Sequence, residues 1–403
     1  MKVAIIGGGA AGFFAAIAVK ENHPAAQVFI LEKTQKLLSK VKISGGGRCN
    51  VTNGTQSISE LAKAYPRGGK QLKNLFKIFH NRDCMEWFES RGVALVTQED
   101  NCVFPVSQDS QSIIDCFLKE TRQKKIQIRK GYGVKEIVPE NDGFRLRFQK
   151  DIPEETFDKL IIATGGSPKR SGFKWLEDLG LEVVEPVPSL FTFNMPDELV
   201  TRLMGIVVEP AMTKIPGTKL KASGPLLITH WGMSGPAILI LSAFGARVLN
   251  ELNYEFKVQV NWVNIQNNET VSQYIEELIP QHPKKQLASY RPYALPERLW
   301  HYLISRSGLA TDKLWQDLGK SGINKITNAL CNDIYEVKGK TTFKEEFVTA
   351  GGISLENIDF KTMASKKYPN MYFAGELLDM DGITGGYNFQ AAWTTAFVAG
   401  KLL

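Results

Sequence analysis

Apolar runs separated by helical patterns predict an α/β protein. The strands predicted at residues 2–7 and 27–33 contain unbroken apolar runs, which is typical of a parallel sheet covered on both faces, and residues 157–166 predict a further buried strand that ends in glycines. Residues 10–22 have the composition of a helix between the first two runs, so the N-terminal part predicts a βαβ unit. Spaced apolar residues predict a further helix over residues 70–92.

After about residue 188 the pattern changes. Short strand-like segments come first, helical patterns follow, and near residue 345 the glycine-rich α/β pattern returns. The sequence therefore predicts one domain built from both ends of the chain and a second domain inserted into it. The predicted bounds are residues 1–188 and 345–403 for the first domain and residues 189–344 for the inserted domain, of which 189–265 is the β part and 266–344 the helical part.

The first apolar strand is followed directly by a G-x-G-x-x-G motif that leads into the helix. In such a motif Gly7 permits the tight turn, Gly9 lets the backbone approach a pyrophosphate, and Gly12 allows close packing of helix and strand. The helix N-terminus offers free N–H groups to the phosphates, and Glu32 at the end of the second strand can accept a ribose hydroxyl. The motif predicts dinucleotide contacts from Gly7, Gly9, Ala10, Ala11, Gly12 and Glu32.

The C-terminal segment favours FAD over NAD as that dinucleotide. Its last helix opens on Gly385 and Gly386, so a second helix N-terminus is expected at the same site. Reduced flavin carries negative charge at N1 and the C2 carbonyl, which N–H donors and a helix dipole stabilise. The strand and turn "LIIATGG" at residues 160–166 form a third piece that is expected to pass beside the dinucleotide.

Composition and charge limit the kinds of protein to which the chain can belong. The net charge of +7 is modest for 403 residues and permits an anionic ligand without requiring nucleic acid. The five cysteines form no C-x-x-C pair, and the odd number favours reduced thiols in the cytoplasm. The spacing of Cys and His predicts no metal site. Because no apolar stretch approaches about 18 residues, no membrane span is expected.

Three further motifs point to a known family. They are "SGGGRCNVTN" at 44–53, "THWGMSGPAIL" at 229–239 and "TAGGISL" at 349–355. Together with the glycine motifs they resemble the BaiN-like, or aminoacetone-oxidase-like, family of FAD-dependent oxidoreductases, which are two-dinucleotide-fold flavoproteins. The resemblance covers essentially the whole chain. It implies a Rossmann-like FAD-binding domain interrupted by an insert of β and helical parts.

The resemblance also implies which residues contact FAD. These are Lys33, Ser44, Gly45, Gly46, Gly47, Arg48, Cys49, Asn50, Val134, Ala163, Thr164, Gly165, Gly375, Glu376, Asp379, Gly386, Tyr387, Asn388 and Gln390. Cys49 is interpreted as a small residue packed near the cofactor rather than a nucleophile, because no histidine lies near it in the sequence. Candidates for substrate chemistry are His230, Tyr387 and Arg48, each of which could instead be structural.

The sequence therefore predicts a flavoenzyme that moves a hydride or two electrons between a small organic substrate and FAD. No second strand–GxGxxG–helix unit is present for NAD(P), so the electron partner is either NAD(P)H visiting the flavin directly or oxygen. One alternative is a flavin-dependent tRNA-modifying enzyme, but the absence of a Lys/Arg-rich tract with interleaved aromatic residues argues against a nucleic-acid partner. The other alternative is a non-catalytic flavin-binding protein. The oligomeric state stays open.

Overall fold

A computed structural model describes residues 1–341 and 348–403 of the chain. These residues form two compact units. The first unit comprises Met1–Ser189 together with residues 348–403, and the second comprises residues 190–341. The predicted boundary between residues 344 and 345 lies outside the described residues.

The helices and strands follow the chain in three segments. The first segment contains β1 Lys2–Ile6, α1 Ala10–Asn22, β2 Gln27–Glu32, α2 Ser39–Ile43, β3 Thr52–Asn53, α3 Ile58–Lys63, α4 Gly69–Leu75, α5 Asn81–Glu89, β4 Leu95–Thr97, β5 Cys102–Pro105, α6 Gln111–Gln123, β6 Gln127–Lys130, β7 Val134–Glu140, β8 Gly143–Phe148, β9 Glu155–Phe157, β10 Lys159–Ile162, α7 Lys174–Glu177 and β11 Val183–Ser189. The second contains β12 Thr192–Asn194, β13 Val207–Lys214, β14 Lys221–Ile228, β15 Gly232–Ser234, α8 Pro236–Glu251, β16 Glu255–Asn261, α9 Asn268–Gln281, α10 Glu297–Arg306, α11 Gly319–Cys331, β17 Asp333–Lys338 and β18 Lys340–Thr341. The third contains β19 Val348–Ile353, β20 Ile358–Asp359, β21 Ala364–Ser365, β22 Met371–Phe373 and α12 Tyr387–Ala399.

The main sheet of the first unit confirms the predicted α/β class. Its described strands lie in the order β20-β21-β22-β10-β1-β2-β6, and the strands from β22 to β6 run parallel. The unbroken apolar strands are buried on both faces, as the sequence pattern predicts. Because β1 pairs with β2 on one side and β10 on the other, the strand order reverses at the carboxyl end of β1, which is where open α/β sheets bind ligands.

Helices α1 and α12 form the centre of this unit. Most residues of both helices are buried. Trp393 of α12 lies 5.5 Å from Phe14 of α1, measured between ring centroids, and Phe14 in turn lies 4.5 Å from Trp87. The two ends of the chain therefore share one aromatic core.

The second unit is an antiparallel sheet followed by helices. Its described strands lie in the order β17-β16-β13-β14-β15-β12-β18. Buried Trp300 and Trp315 anchor the helical part, and the Trp300 indole N–H donates to the Leu287 carbonyl at 2.8 Å. The region predicted as helical over 266–344 differs in one respect, since its described part, up to residue 341, ends in the strands β17 and β18. Alternate residues of β17 are buried, a period of two that marks a strand.

The helix predicted over residues 70–92 is two helices, α4 and α5. His80 caps α5, because its ring Nδ1 accepts from the Asp83 backbone N–H at 3.3 Å and the His80 backbone N–H donates to the Asp83 carboxylate at 2.7 Å. This reciprocal pair of hydrogen bonds starts a new helix at Asn81, so the apolar residues of 70–92 belong to two helices.

Among the described residues, no helix has both the length and the apolar character required to span a membrane.

Candidate FAD site

The glycine motif joins β1 to α1, and two of its glycines are held by tight packing. A Cβ atom on Gly7 would lie 2.4 Å from the Ala163 carbonyl oxygen, and a Cβ atom on Gly12 would lie 1.9 Å from the Gly7 oxygen. Real Cβ atoms do not approach oxygen so closely, so only glycine permits this turn and this contact of helix and strand. Ala10 and Ala11 complete the first turn of α1.

Gly9 differs from both neighbours in the motif. It has an ordinary extended backbone (φ −94°, ψ −168°), and no described atom lies within 4 Å of where its Cβ would be. The protein itself therefore does not require glycine at position 9. An open approach to the backbone at the N-terminus of α1 is what a pyrophosphate would need.

Glu32 and Lys33 lie at the carboxyl end of β2, beside this turn. The Glu32 carboxylate accepts the Gly8 N–H at 2.8 Å and the Thr34 N–H at 2.8 Å, which holds it next to the glycine motif. Lys33 is exposed. Gly133 packs against it, and Val134 begins β7 directly afterwards. The residues predicted for the adenosine part of FAD thus come together at one edge.

Residues 44–53 fold as a tight turn that leads into β3. Gly45, Gly46 and Gly47 have positive φ angles of 58°, 69° and 87°, a conformation that favours glycine. No described atom lies within 4 Å of a Cβ on Gly46 or Gly47, so this turn too presents open backbone. The Arg48 guanidinium lies over the Phe104 ring, 4.1 Å from its centroid, and its Nε donates to the Gly45 carbonyl at 3.2 Å. Arg48 therefore braces the turn.

Cys49 is fully buried, in agreement with its interpretation as a packing residue. Burial raises the pKa of its thiol to about 12, although a hydrogen bond with Ser44 opposes the shift. The thiolate is the nucleophilic form of cysteine, and at neutral pH this residue carries almost none of it.

The turn at 44–53 meets the N-terminus of α12. A Cβ on Gly386 would lie 2.4 Å from the Thr52 carbonyl oxygen and 2.7 Å from Asn50 Oδ1, so glycine is required at this junction. The Thr52 hydroxyl donates to Gln390 Oε1 at 2.5 Å, and the Asn53 amide donates to the Gly385 carbonyl at 3.1 Å. Asn388 exchanges two hydrogen bonds of 2.9 Å with the backbone of Gly382 and fixes the loop before the helix. Tyr387, the first residue of α12, packs edge-on against Tyr65.

The turns after β10 and β22 lie beside the glycine motif. A Cβ on Gly375 would lie 2.8 Å from the Ala11 Cβ, and Glu376 forms an ion pair of 2.6 Å with Lys40. Ala163, Thr164 and Gly165 follow β10, where Thr164 is exposed.

Thr349 is a residue of the candidate site that the sequence analysis did not predict. Its buried hydroxyl has no hydrogen-bond partner among the described residues, and it lies next to Gly166 and Glu376.

Asp381, in the loop before α12, has a clear structural role, and the predicted contact of Asp379 with FAD stays a prediction. Asp381 is fully buried, receives both arms of the Arg67 guanidinium, and accepts the Ser189 hydroxyl at 2.7 Å. Asp379 lies half-buried on the same loop, and its backbone N–H donates to the Ile353 carbonyl at 2.9 Å. No sequence signal links Arg67 to Asp381, because 314 positions separate them.

His230 and Trp231 belong to the second unit. His230 is exposed, and its ring lies edge-on to Trp231 with centroids 4.4 Å apart. The Trp231 indole donates to the Thr192 hydroxyl at 3.0 Å. A role of His230 in substrate chemistry stays a prediction. Within the described parts of the chain, no group of three or more His, Cys, Asp or Glu residues is arranged to hold a metal ion.

FAD fits the residues that the first unit brings together. The N-termini of α1 and α12 carry no acidic residue in their first turns, and no side chain of the described structure caps either one. Both therefore keep N–H groups and a positive dipole end for an anionic ligand. The open backbone at Gly9, Gly46 and Gly47 leaves room for it. The fold and the site together define an FAD-dependent oxidoreductase of the Rossmann type.

A family model described as the HI0933-like protein Rossmann domain matches residues 1–402, and the chain belongs to this family. The chain is 27% identical over 408 residues to the 3-dehydro-bile acid delta(4,6)-reductase of Clostridium scindens, covering 99% of this chain and 98% of that protein. It is 28% identical over 408 residues to the ribosomal RNA dihydrouridine synthase of Escherichia coli, covering 98% of this chain and 96% of that protein. These matches confirm the expected BaiN-like flavoenzyme family and that the chain is an enzyme.

Solved structures with the same fold are flavoenzymes of low sequence identity. The 3-ketosteroid delta1-dehydrogenase of Sterolibacterium denitrificans matches with a TM-score of 0.52 and 10% identity, over 99% of this chain and 98% of that one. The 3-ketosteroid-delta4-(5alpha)-dehydrogenase of Rhodococcus jostii matches with a TM-score of 0.50 and 10% identity, over 99% of this chain and 96% of that one. This likeness concerns the fold and confirms the predicted Rossmann-like FAD-binding architecture.

Proposed function

We propose that this enzyme reduces a carbon–carbon double bond conjugated to a carbonyl group, with NAD(P)H as the electron donor. The overall reaction adds two hydrogens. NAD(P)H gives a hydride and becomes NAD(P)⁺, a proton comes from the protein or water, and the C=C bond becomes a single bond.

The proposed compartment is the cytoplasm. The five described cysteines are all free thiols, which supports this compartment.

The main observation behind this proposal is that the N-terminus of α12 contacts the turn at 44–53. When bound, FAD supplies the hydride chemistry, and its reduced ring carries negative charge that N–H donors stabilise. Residues of this chain hold those donors in place. Gly386 allows α12 to approach Thr52, and Gln390 and Asn53 bond across the junction. The residues on both sides of the junction are thereby fixed before any substrate arrives.

The names of two relatives support the type of bond. A delta(4,6)-reductase of a 3-dehydro bile acid and a synthase of dihydrouridine both add two hydrogens to a C=C bond. In a 3-oxo steroid and in uracil alike, that bond is conjugated to a carbonyl. The carbonyl makes the far carbon of the double bond electrophilic, so a hydride can add there and a proton can add next to the carbonyl. We propose for this enzyme the type of reaction that the two relatives share, which is reduction of a C=C bond conjugated to a carbonyl, and not the substrate of either relative.

The proposed electron donor is tested by anaerobic reduction of the purified yellow protein. Addition of NADH or NADPH is expected to bleach the visible flavin absorbance completely, and a conjugated enone such as 2-cyclohexenone should then restore it. The control is the same protein with dithionite, which reduces any accessible flavin. A flavin that dithionite bleaches but neither nicotinamide does would contradict NAD(P)H as donor and favour oxygen-dependent chemistry.

Tyr387 is the proposed proton donor. It lies at the start of α12, and a tyrosine phenol, with an ordinary pKa of about 10, holds its proton at neutral pH. Burial raises the pKa of this phenol further, which makes it a weaker acid. The Tyr387→Phe variant is expected to accept electrons from the nicotinamide at the wild-type rate but to pass them to the enone roughly 100-fold more slowly. Stopped-flow measurements of the two half-reactions separate these effects. Equal rates for the enone step in both proteins would rule out this role.

A further inference from the structure

Two glycines of the motif "TAGGISL" at 349–355 hold strand β19 against its neighbours. A Cβ on Gly351 would lie 2.4 Å from the Glu185 carbonyl oxygen, and a Cβ on Gly352 would lie 2.3 Å from the Leu377 carbonyl oxygen. Both glycines have positive φ angles, 111° and 129°, which also favours glycine. The strand is therefore fixed between β11 and the turn that follows β22.

Thr349, the first residue of this motif, has an unpaired hydroxyl. The residue is fully buried, and the hydroxyl has no hydrogen-bond partner among the residues that the structure describes. Buried hydroxyls are nearly always hydrogen-bonded, because an unpaired one costs free energy. A Cβ on Gly166 would lie 2.7 Å from the hydroxyl oxygen, and the Thr349 backbone N–H donates to Glu376 Oε1 at 3.2 Å. A partner for the hydroxyl is therefore expected beside the turns that follow β10 and β22.

Glu376 limits the kind of ligand group that can be this partner. Its Oε1 accepts from the buried Thr349, and its Oε2 forms the ion pair of 2.6 Å with the exposed Lys40. A carboxylate accepts hydrogen bonds and repels a phosphate, whereas a threonine hydroxyl both donates and accepts. An alcohol group of a ligand can donate to the carboxylate and accept from Thr349 at the same time. Thr349 and Glu376 together therefore favour an alcohol group over a phosphate oxygen.

The order of the strands indicates which alcohol groups of FAD would lie here. FAD has alcohol groups on the adenosine ribose and on the ribityl chain, which joins the pyrophosphate to the flavin ring. Glu32, the predicted partner of the ribose, ends β2 on one side of β1, whereas Glu376 follows β22 on the other side. Gly375 packs against Ala11 in the first turn of α1, where the pyrophosphate is expected. The part of FAD that leaves the pyrophosphate toward β22 would then be the ribityl chain.

We infer that the Thr349 hydroxyl and the Glu376 carboxylate together bind a hydroxyl of the FAD ribityl chain. Thr349 donates to that hydroxyl and Glu376 accepts from it, which gives the buried threonine the partner that the described residues do not supply. The inference concerns how the cofactor is held and does not depend on the reaction proposed above.

The first test is the Thr349→Val variant, which replaces the hydroxyl by a methyl group of similar size. Titration of apoprotein with FAD, followed by flavin fluorescence, is expected to show about tenfold weaker binding than in the wild type. The apoprotein of the variant should melt no lower than wild-type apoprotein, because valine removes a hydroxyl that the described residues leave unpaired. A hydroxyl with a purely structural role would give the reverse result, a lower melting temperature and unchanged FAD affinity.

Two control variants accompany this measurement. Thr349→Ser keeps the hydroxyl and should bind FAD within about threefold of the wild type. Thr121→Val makes the same change at another buried threonine of the first unit, in α6, whose hydroxyl already donates to the Leu118 carbonyl at 3.0 Å. It should leave FAD affinity within about twofold of the wild type. Equal losses of affinity in Thr121→Val and Thr349→Val would overturn the inference.

The second test uses FAD analogues that each lack one hydroxyl of the ribityl chain. Wild-type apoprotein should bind one of these analogues about tenfold more weakly than FAD, and in Thr349→Val that difference should shrink to about threefold or less. If both proteins discriminate equally between FAD and every analogue, Thr349 does not bind the ribityl chain.

The inference and the proposed reaction fail separately. A protein whose flavin is reduced by a nicotinamide and reoxidised by the enone, but whose Thr349→Val variant binds FAD like the wild type, would refute the inference alone. If Thr349→Val loses FAD affinity as expected and neither nicotinamide bleaches the wild-type flavin, the inference stands and the proposed electron donor is wrong.

Discussion

The Gly9→Val variant is expected to fold normally and to retain less than about a tenth of the wild-type flavin. The backbone of Gly9 already has extended angles that valine adopts, and a new side chain would meet no described atom of the protein within 4 Å at its Cβ. The added methyl groups would instead occupy the space at the N-terminus of α1 that a pyrophosphate needs. Visible absorbance and heat-released FAD per polypeptide measure the loss.

Gly12→Ala provides the contrasting control three residues away. Its Cβ would lie 1.9 Å from the Gly7 carbonyl oxygen, so the clash is within the protein and the fold itself should weaken. Thermal melting of the two apo-proteins separates the cases, since Gly9→Val should melt like wild-type apoprotein and Gly12→Ala well below it. A Gly9→Val protein with full flavin occupancy would show that the dinucleotide binds elsewhere.

The Arg67→Met variant is expected to destabilise the first unit by about 3–5 kcal/mol, because it leaves the Asp381 carboxylate buried without its ion partner. Among the described residues, the Ser189 hydroxyl would remain as a donor to that carboxylate. For a unit of this size the loss corresponds to a fall in melting temperature of roughly 10 °C. Differential scanning calorimetry measures it.

The matched control is Arg67→Met combined with Asp381→Asn, which removes both charges and should recover most of the lost stability. The single variant should also respond to pH. Burial raises the pKa of Asp381 and Arg67 lowers it, so without Arg67 the folded-state pKa lies well above the unfolded value of about 3.9. Its deficit should therefore be small below about pH 4 and grow as the pH rises through the folded-state pKa. A deficit that does not depend on pH, with no recovery in the double variant, would mean that the pair is not what stabilises this loop.

Local patterns in the sequence were sufficient to predict the main sheet, and they indicated much of the candidate site. The glycine motif, the strands β1, β2 and β10, and the helix N-terminus at Gly386 each follow from a short run of residues whose backbone demands are specific. The resemblance to a family then predicted that the turn at 44–53 contacts FAD. The structure brings the predicted residues from both ends of the chain into one unit, while their contacts with FAD stay predictions.

The remaining features depend on contacts between distant residues. Lys40 with Glu376, and Arg67 with Asp381, are ion pairs across more than 300 positions, and a single sequence contains no signal for such pairing. Thr349 lies in an ordinary strand, and only the fold places its hydroxyl beside Glu376.

The discontinuous first unit has a consequence for biosynthesis. The ribosome delivers β1, α1 and the turn at 44–53 first, whereas Gly386 and α12 appear only after the whole insert has been translated. Until then the nascent chain exposes the apolar face of α1 that Trp393 later covers. If α12 contacts FAD as predicted, we expect cofactor capture to wait until translation has passed residue 399, and we expect chains truncated before that point to be apoprotein with an open, aggregation-prone core.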